Sequence, residues 1–178
     1  MAKLLVTDAE QRSALAAVRS LGRAGHRVEV CFSDPRPLAG SSRHASAVHR
    51  VSSPKARPAR FATDVADLVS RHDPAVVLPA VEASMRALLP RRGMFEPAIV
   101  PFGAAEAFRE LSDKARVAET AEEIGLAVPR QRVLPSASEP VPDALEFPIV
   151  VKPSRSVVRS NGGLREQSVR HVASSEDL

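Results

Sequence analysis

Tryptophan and tyrosine are absent from the 178 residues, and cysteine occurs once. A framework of disulfide bonds within the chain is therefore excluded. Cys31 lies in the apolar stretch Val28–Phe32, and we expect it to be a buried core thiol in a reducing compartment. Because only six phenylalanines are present, alanine, valine and leucine must fill the core. A chain of this length can bury a core in one domain, or in one domain with part of another.

Long apolar runs and long basic runs are also missing. No stretch approaches the roughly 18 apolar residues of a membrane span, and the run after Met1 is too short for a signal peptide. These absences predict a cytoplasmic protein without a membrane partner. The net charge is +4, but no basic run exceeds Arg91-Arg92 and stacking aromatics are scarce. We therefore do not expect a nucleic acid as the partner.

The sequence lacks the common signatures of phosphate, metal and nucleophile sites. The first predicted strand is followed by residues 8–13 without a glycine, and no Gly-Lys pair occurs, so neither a dinucleotide fingerprint nor a P-loop is present. Ser42 and Ser84 have no convincing triad context, and no catalytic residue is assigned in this chain. The histidines stand at no metal-like spacing, which predicts surface or structural roles and no metal site; they are His26, His44, His49, His72 and His171.

Strand-type and helix-type patterns alternate through the first hundred residues. Apolar residues at helical spacing predict helices after Arg12, over Phe61–Arg71 and over Val81–Leu89. Five strands are predicted between and around these helices, at Leu4–Thr7, Arg27–Phe32, Val48–Val51, Ala75–Leu78 and Ala98–Val100. This order predicts an α/β fold with a Rossmann-like parallel sheet and helices on both faces.

The carboxyl ends of parallel strands are where such folds bind ligands. Thr7 and Asp8 follow the first predicted strand, and Arg12 comes shortly after them. Glu82 follows the fourth strand in the same way. We therefore expect these four residues on the substrate side of a site.

The pattern changes to helix at Ala104. An interruption near 112–114 leads us to expect that Ser112 caps a second helix, with Gly125 at its end. The predicted apolar face of that helix comprises Ala115, Val117, Ala118, Ala121 and Ile124. We divide the chain here into two domains, residues 1–111 and residues 112–178.

Prolines become dense in the last third of the chain. Strands are predicted at Arg130–Leu134, Ile149–Lys152 and near Gln167–Val172. A turn or short helix is expected at Pro142–Leu145 and a polar loop at Ser154–Gly163.

Three features of this last third are suited to a phosphate ligand. Lys114 opens a helix, and Lys152 ends a short strand between Pro148 and Pro153. The next loop contains Ser160-Asn161-Gly162-Gly163. Two lysines can meet different phosphates of one nucleotide, and glycines let loop amides approach the phosphate oxygens.

These features occur in the order found in a known family. Residues 112–129 resemble the start of the ATP-grasp domain, in which an Asp-Lys helix precedes a Gly-x-x-x-Pro turn. Phe147–Pro153 resembles the nucleotide-binding strand of that family, and Ser160–Gly163 resembles its mobile glycine-rich loop. The first hundred residues, especially Leu4–Gly25 and Val76–Leu88, resemble the Rossmann-like domain that precedes ATP-grasp in the carbamoyl-phosphate-synthase-like and PylC-like group.

The resemblance implies an ATP-dependent ligase with ATP and magnesium as cofactors. In that family ATP phosphorylates a carboxylate, and an amine or another nucleophile then displaces phosphate from the acyl-phosphate. The implied partners are a small-molecule carboxylate and an amine. The implied ATP contacts are Lys114 and Lys152 at the phosphates, with Ser160, Asn161, Gly162 and Gly163 in the lid loop.

Two departures from the family pattern shape the expected function. Residues 154–160 carry Arg155, Val157, Val158 and Arg159 where the family has more glycine. The adenine hinge and the magnesium ligands of the family cannot lie in Ser174–Leu178, which resembles the start of a helix. We therefore expect an incomplete ATP-grasp lid subdomain in part of a longer ligase or in a truncated product, inactive alone and completed by a partner chain or in a homodimer. The alternative is a non-catalytic Rossmann-like module that binds a small ligand or a protein.

Overall fold

The computed structural model describes residues 1–136, 138–139 and 145–177. Two compact units are present: Met1–Ala105 with Arg159–Arg165, and Glu106–Val158 with Glu166–Leu178. A parallel sheet flanked by helices is followed by two small two-stranded sheets, which confirms the predicted α/β class. The domain division between residues 111 and 112 stays a prediction.

A four-stranded sheet forms the centre of the first unit. Its strands are β1 (Lys3–Val6), β2 (Arg27–Phe32), β3 (Ala45–Arg50) and β4 (Val76–Leu78), in the order β3-β2-β1-β4. All three pairings are parallel. The carboxyl ends of the strands therefore share one edge, as predicted for a Rossmann-like sheet.

The predicted fifth strand at Ala98–Val100 is reduced to one parallel bridge, in which Ile99 pairs with Val76. Pro97 and Pro101 bracket this segment and have no amide hydrogens to donate. Only the short stretch between them can pair, so the ladder does not extend.

Helix α1 (Arg12–Arg23) covers one face of the sheet. Its buried residues Ala14 and Val18 belong to one core cluster with alternating strand residues, among them Leu4, Val6, Val28 and Val30. A fully buried valine contributes about 1.5–3 kcal/mol relative to an exposed one. Apolar residues at helical spacing in α1 therefore pack against every second residue of the strands.

Helix α2 (Pro58–His72) buries its apolar residues as the spacing predicts, Phe61 and Val65 among them. Leu5 and Glu29 point away from the α1 face because strand side chains alternate. Helix α3 (Glu82–Leu88) follows β4. Cys31 is buried, in agreement with the expected core thiol.

The second unit contains shorter elements. Helices α4 (Ala105–Leu111) and α5 (Lys114–Glu123) are followed by β5 (Ile149–Val151), which pairs antiparallel with β8 (Arg170–Val172). Strands β6 (Val157–Ser160) and β7 (Gly163–Glu166) form the other small sheet, of which residues 159–165 group with the first unit. Ser175–Asp177 is a 3-10 turn.

Several local predictions in this region are wrong. Arg130–Leu134 is not a strand, since Pro129 and Pro135 flank it and no described strand pairs with it. The expected loop Ser154–Gly163 contains β6, because Val157 and Val158 favour a strand. The closing strand predicted near Gln167–Val172 is present as β8, which begins at Arg170. Of the turn expected at Pro142–Leu145, residues 142–144 lie outside the described residues.

The predicted apolar face of α5 is not buried. Val117 is 41% exposed and Ile124 is 68% exposed. The three alanines of that face are half-buried. None of the described helices combines the length and the apolar character needed to cross a membrane.

Candidate functional site

The start of α5 is fixed by Asp113. Its carboxylate accepts hydrogen bonds from the amides of Ala115 at 3.1 Å and Arg116 at 3.4 Å, so Asp113 is the N-cap. The expectation that Ser112 caps this helix is wrong. The Ser112 hydroxyl instead donates to the carbonyl of Phe108 at 2.6 Å, inside the preceding helix.

Lys114, the first residue of α5, is bound to the segment that follows β5. Its amide donates to the carbonyl of Ser154 at 2.8 Å. Its ammonium donates to the carbonyl of Pro153 at 3.1 Å and to the hydroxyl of Ser156 at 2.8 Å. The helix start and residues 153–156 are thereby held together by both the backbone and the side chain of one residue.

An ion pair reinforces this junction. The Arg155 guanidinium donates to the Asp113 carboxylate at 3.0 Å. Partial burial acts to raise the pKa of Asp113, but the hydrogen bonds from Arg155 and from the α5 amides outweigh it and hold the pKa below its ordinary value. Asp113 is therefore a charged cap, committed to the helix and to Arg155.

Lys152 lies directly after β5 and is exposed. No hydrogen bond or ion pair of its ammonium is found among the described residues. The structure thus places Lys114 beside the segment that begins one residue after Lys152. The Lys114 ammonium is held by hydrogen bonds, whereas the Lys152 ammonium is available to a ligand.

The predicted lid loop is a tight hairpin turn. Ser160 ends β6, and Asn161 and Gly162 follow with positive φ angles of 42° and 81°. Gly163 then opens β7. Two consecutive residues with positive φ are typical of the turn that joins strands by two residues.

Gly163 is the more constrained of the two glycines. A Cβ there would lie 2.6 Å from the carbonyl oxygen of Lys55, and the next amide, Leu164, donates to that oxygen at 2.7 Å. Residues 159–165 group with the first unit, whereas Lys114 and Lys152 belong to the second. A common ATP site formed by all of them stays a prediction.

Thr7 and Asp8 are buried, and their polar atoms are used inside the fold. Asp8 accepts hydrogen bonds from the Ser84 hydroxyl at 2.6 Å, from the Ala80 amide at 3.2 Å and from the Thr7 hydroxyl. Burial raises the pKa of Asp8, and the Ser84 and Thr7 hydrogen bonds only partly oppose this effect. Asp8 thus links the end of β1 to the loop after β4 and to α3.

The other two substrate-side residues are arranged differently. Arg12 is exposed at the start of α1. Glu82, the first residue of α3, forms an ion pair with Arg86 at 2.8 Å. A substrate-side cluster formed by these four residues stays a prediction.

A cavity of about 540 Å³ lies at the carboxyl ends of β2 and β3, beside α2. Sequence reasoning did not identify it. Arginine, serine and aspartate side chains dominate the lining; it comprises Ser33, Arg50, Val51, Ser52, Ser53, Ala56, Arg57, Arg60, Asp64, Asp67, Leu68 and Arg71. The spacing of 57, 60, 64, 67 and 71 along one face of α2 is the signal that points to it.

Four arginines and two aspartates line this cavity. Some of the arginine side chains form ion pairs or hydrogen bonds, and others do not. Arg60 pairs with Asp64 at 2.8 Å, and the amide of Ser52 donates to Asp64 at 2.7 Å. Burial acts to raise the pKa of Asp64, but the Ser52 hydrogen bonds and the Arg60 charge lower it overall. The side chains of Arg50 and Arg57 have no hydrogen-bond or ion-pair partner among the described residues.

Glu10 lies near this edge of the sheet. One of its carboxylate oxygens accepts a hydrogen bond from the Ser33 hydroxyl at 3.2 Å. The other oxygen, Oε2, is buried without a hydrogen-bond partner in the described part of the chain. A buried carboxylate oxygen normally accepts a hydrogen bond. A ligand that donates a hydrogen bond to Glu10 Oε2 would therefore satisfy this oxygen.

Comparisons with known proteins give structural neighbours only. No protein-family model matches the sequence, and no curated protein matches it. An L-amino acid ligase from Bacillus licheniformis is similar with a TM-score of 0.69 and 13% identity, over 99% of this chain and 40% of that one. An N5-carboxyaminoimidazole ribonucleotide synthetase from Thermotoga maritima gives a TM-score of 0.61 and 18% identity, over 99% and 42%.

A third neighbour was solved with a bound nucleotide. It is an N5-carboxyaminoimidazole synthetase from Staphylococcus aureus complexed with ADP, with a TM-score of 0.50 and 15% identity over 70% of this chain and 30% of that one. At these identities the likeness shows the fold. The chain spans about two fifths of the length of the first two enzymes.

Proposed function

We propose that this chain, which has the fold of the amino-terminal part of ATP-grasp ligases, supplies part of the ATP site of a carboxylate–amine ligase. One observation carries the proposal: the Lys114 ammonium lies 3.1 Å from the carbonyl oxygen of Pro153, the residue after Lys152. Two cations near one strand end can offset the charge of a triphosphate. The proposed reaction forms an acyl-phosphate, from which an amine displaces phosphate.

The two lysines have different proposed roles. Lys152 is exposed and unpaired in the described residues, so its ammonium is available as a point charge for a phosphate oxygen. Lys114 is anchored to Pro153 and Ser156, and it holds the segment that positions Lys152. Gly162 and Gly163 give the hairpin turn a backbone that can approach phosphates closely.

Magnesium does not fit the residues around these lysines. The ion prefers oxygen ligands in octahedral geometry. Asp113 is the carboxylate at this junction, and it is committed to Arg155 and to the α5 amides. We propose ATP as the cofactor of this site.

We propose that further chain is needed for turnover, from a partner or from a second copy. Several large apolar side chains of the second unit are exposed, Ile124, Leu126 and Val150 among them. Unpaired apolar surface and short strand edges favour association with more protein. The chain alone should therefore bind nucleotide without catalysing ligation.

We also propose a cytoplasmic location. Cys31 is buried, and burial raises its pKa well above the ordinary thiol value. A buried, protonated thiol is a core residue rather than a nucleophile. A single core cysteine supports a reducing compartment.

Nucleotide binding can be tested on the purified chain by following its backbone amide resonances during titration with ATP. We expect shifts at residues around Lys114 and at 152–156, and loss of these shifts in Lys152→Gln. Arg132→Gln is the matched control, since Arg132 is exposed and has no partner in the described chain. Unchanged spectra at millimolar ATP would contradict the proposal.

Turnover has its own test. Phosphate release from ATP, measured with a panel of carboxylates and amines, should equal the blank without protein. Release above the blank that disappears in Lys152→Gln would show that the chain is active alone.

The arginine-lined cavity favours a second candidate function, a non-catalytic module for a small anion. Arg50 and Arg57 are unpaired on the wall of a cavity at the carboxyl edge of the sheet, where such folds bind ligands. Calorimetric titration with inorganic phosphate and with citrate should show binding that weakens in Arg57→Gln. Shifts near 50–60 without any near 114 and 152–156 would favour this module over the ligase.

A further inference from the structure

Glu29 is an acid in the middle of a parallel sheet. It lies on β2, opposite Leu5 of β1 and Ala47 of β3, and its side chain is only 3% exposed. Burying a carboxylate without compensation is costly, so a buried acid is normally paired or bound to a metal. The groups around Glu29 therefore decide its role.

Two imidazole rings meet at one oxygen of Glu29. His49 Nε2 lies 2.8 Å from Glu29 Oε2, and His72 Nδ1 lies 3.2 Å from the same oxygen. His49 comes from β3, two residues after Ala47, and His72 is the last residue of α2. The two rings are 4.4 Å apart between centroids and tilted by 55°. Three separate elements thus deliver one potential ligand atom each.

The two cations nearby do not contact Glu29 Oε2. Arg27 lies 3.7 Å from the other carboxylate oxygen, Oε1. The Lys3 ammonium donates to the backbone carbonyl of His72 rather than to the ring. Oε2 and the two ring nitrogens therefore face one another.

We propose that Glu29, His49 and His72 bind a divalent transition metal ion, with zinc as the best match. Two imidazoles and one carboxylate are a common protein ligand set for zinc. The three ligand atoms lie within 4.8 Å of one another. Zinc–ligand bonds of about 2.0–2.2 Å place neighbouring ligand atoms about 3.3 Å apart in a tetrahedron, so small side-chain movements suffice.

The site has an open side. The His49 side chain is 16% exposed and that of His72 is 34% exposed, whereas Glu29 is enclosed. Solvent can supply the remaining ligand from the histidine side.

The ion would link the edge of the sheet to its interior and to α2. Glu29 lies in the first half of β2, and His72 ends the helix that leads back to the start of β4. The site lies in the first unit, and its two histidines adjoin in sequence Arg50 and Arg71, which line the arginine-lined cavity. A stabilising or regulatory ion fits this position better than a reacting one, and the inference does not depend on the ligase proposal.

Zinc binding can be measured on the full chain without a histidine tag, after treatment with a chelator. Isothermal titration with zinc chloride should give one equivalent per chain and a higher melting temperature. Cobalt chloride should produce the visible absorption that is typical of cobalt with a low coordination number, such as three protein ligands and one solvent ligand. We expect His72→Gln to weaken zinc binding by at least about tenfold. His171→Gln and Cys31→Ala, which remove potential ligands outside the cluster, should bind zinc normally.

The design separates a metal site from a purely hydrogen-bonded cluster. His72 is partly exposed, so His72→Gln should fold, and circular dichroism checks this. No zinc or cobalt binding by the unmodified chain, or equal binding by His72→Gln, would overturn the proposal. Loss of binding in His171→Gln with retention in His72→Gln would also overturn it.

Discussion

The side-chain ammonium of Lys114 and the carbonyl oxygen of Pro153 lie 3.1 Å apart, although the two residues are far apart in the sequence. The same ammonium donates to the hydroxyl of Ser156 at 2.8 Å. The helix that begins at Lys114 therefore orders the segment after Lys152. This relationship makes the roles of the two lysines separable by mutation.

Lys114→Met should weaken ATP binding and loosen residues 153–156. It removes a positive charge and two exposed hydrogen bonds, each of which contributes about 0.5–1.5 kcal/mol at most. Ser156→Ala is the matched variant, because it removes one of these bonds and keeps the charge. Nuclear magnetic resonance titration with ATP should show a larger loss in Lys114→Met than in Ser156→Ala. Equal losses would mean that Lys114 acts only by ordering the segment.

Asp113→Ala should destabilise the second unit by about 1 kcal/mol, the typical effect of removing an N-cap. The stabilisation that Asp113 gives to the wild-type protein should depend on pH. Because the folded pKa of Asp113 lies below its ordinary value of 3.8, the stabilisation is present above pH 3.8 and is lost as the pH falls through the lower, folded value. Hydrogen exchange of the α5 amides measures the effect, with Glu119→Ala as an exposed control.

Asp113 also illustrates what sequence patterns can and cannot predict. The pattern correctly indicates a helix break at 112–114, because both Ser112 and Asp113 are good caps. The choice of Asp113 depends on its ion pair with Arg155, which is distant in sequence and supplied by tertiary structure. Local preference therefore predicts the break, and a long-range contact selects the residue.

The fold itself was largely predictable because its strands and helices are periodic. Strand β2 was predicted at its observed bounds, Arg27–Phe32. Arg130–Leu134 was also predicted as a strand, but no partner strand is present among the described residues. A strand forms where a neighbour accepts its hydrogen bonds, and composition alone does not reveal the neighbour.

The candidate sites were less predictable than the fold. Glu29, His49 and His72 are distant in sequence, and only the pairing of β2 with β3 and the position of the end of α2 bring them together. Spacing rules for metal ligands do not detect such a set. The cavity arginines Arg50 and Arg57 come from the end of β3 and from the residue before α2, so no single periodic pattern contains both.

Asp8→Ala should destabilise the first unit, because it leaves the Ser84 hydroxyl and the Ala80 amide without their acceptor. An unsatisfied buried group costs about 1–3 kcal/mol. Burial raises the pKa of wild-type Asp8 above its ordinary value of 3.8, so the folded state takes up a proton more readily than the unfolded state. The advantage of the wild type over Asp8→Ala should therefore grow as the pH falls through the raised pKa toward 3.8. Urea unfolding at a series of pH values measures this, and a constant difference would contradict it.

Gly163→Ala should detach the hairpin turn from the residues around Lys55. The added Cβ would lie 2.6 Å from the Lys55 carbonyl oxygen, a backbone atom that cannot move away cheaply. Overpacking of this kind costs about 1–3 kcal/mol. The amide of Leu164, which donates to the same oxygen at 2.7 Å, should then lose its protection from hydrogen exchange.

Two further alanine variants separate this contact from backbone strain. Gly162 has a φ of 81° and no atom near its missing Cβ, so Gly162→Ala should cost about 1–2 kcal/mol through its left-handed backbone alone. Gly103 has neither constraint, and Gly103→Ala should leave the stability of the turn unchanged. If the turn is a lid for phosphates, both Gly162→Ala and Gly163→Ala should also weaken ATP binding. Full protection of Leu164 in Gly163→Ala would show that the turn does not depend on this contact with Lys55.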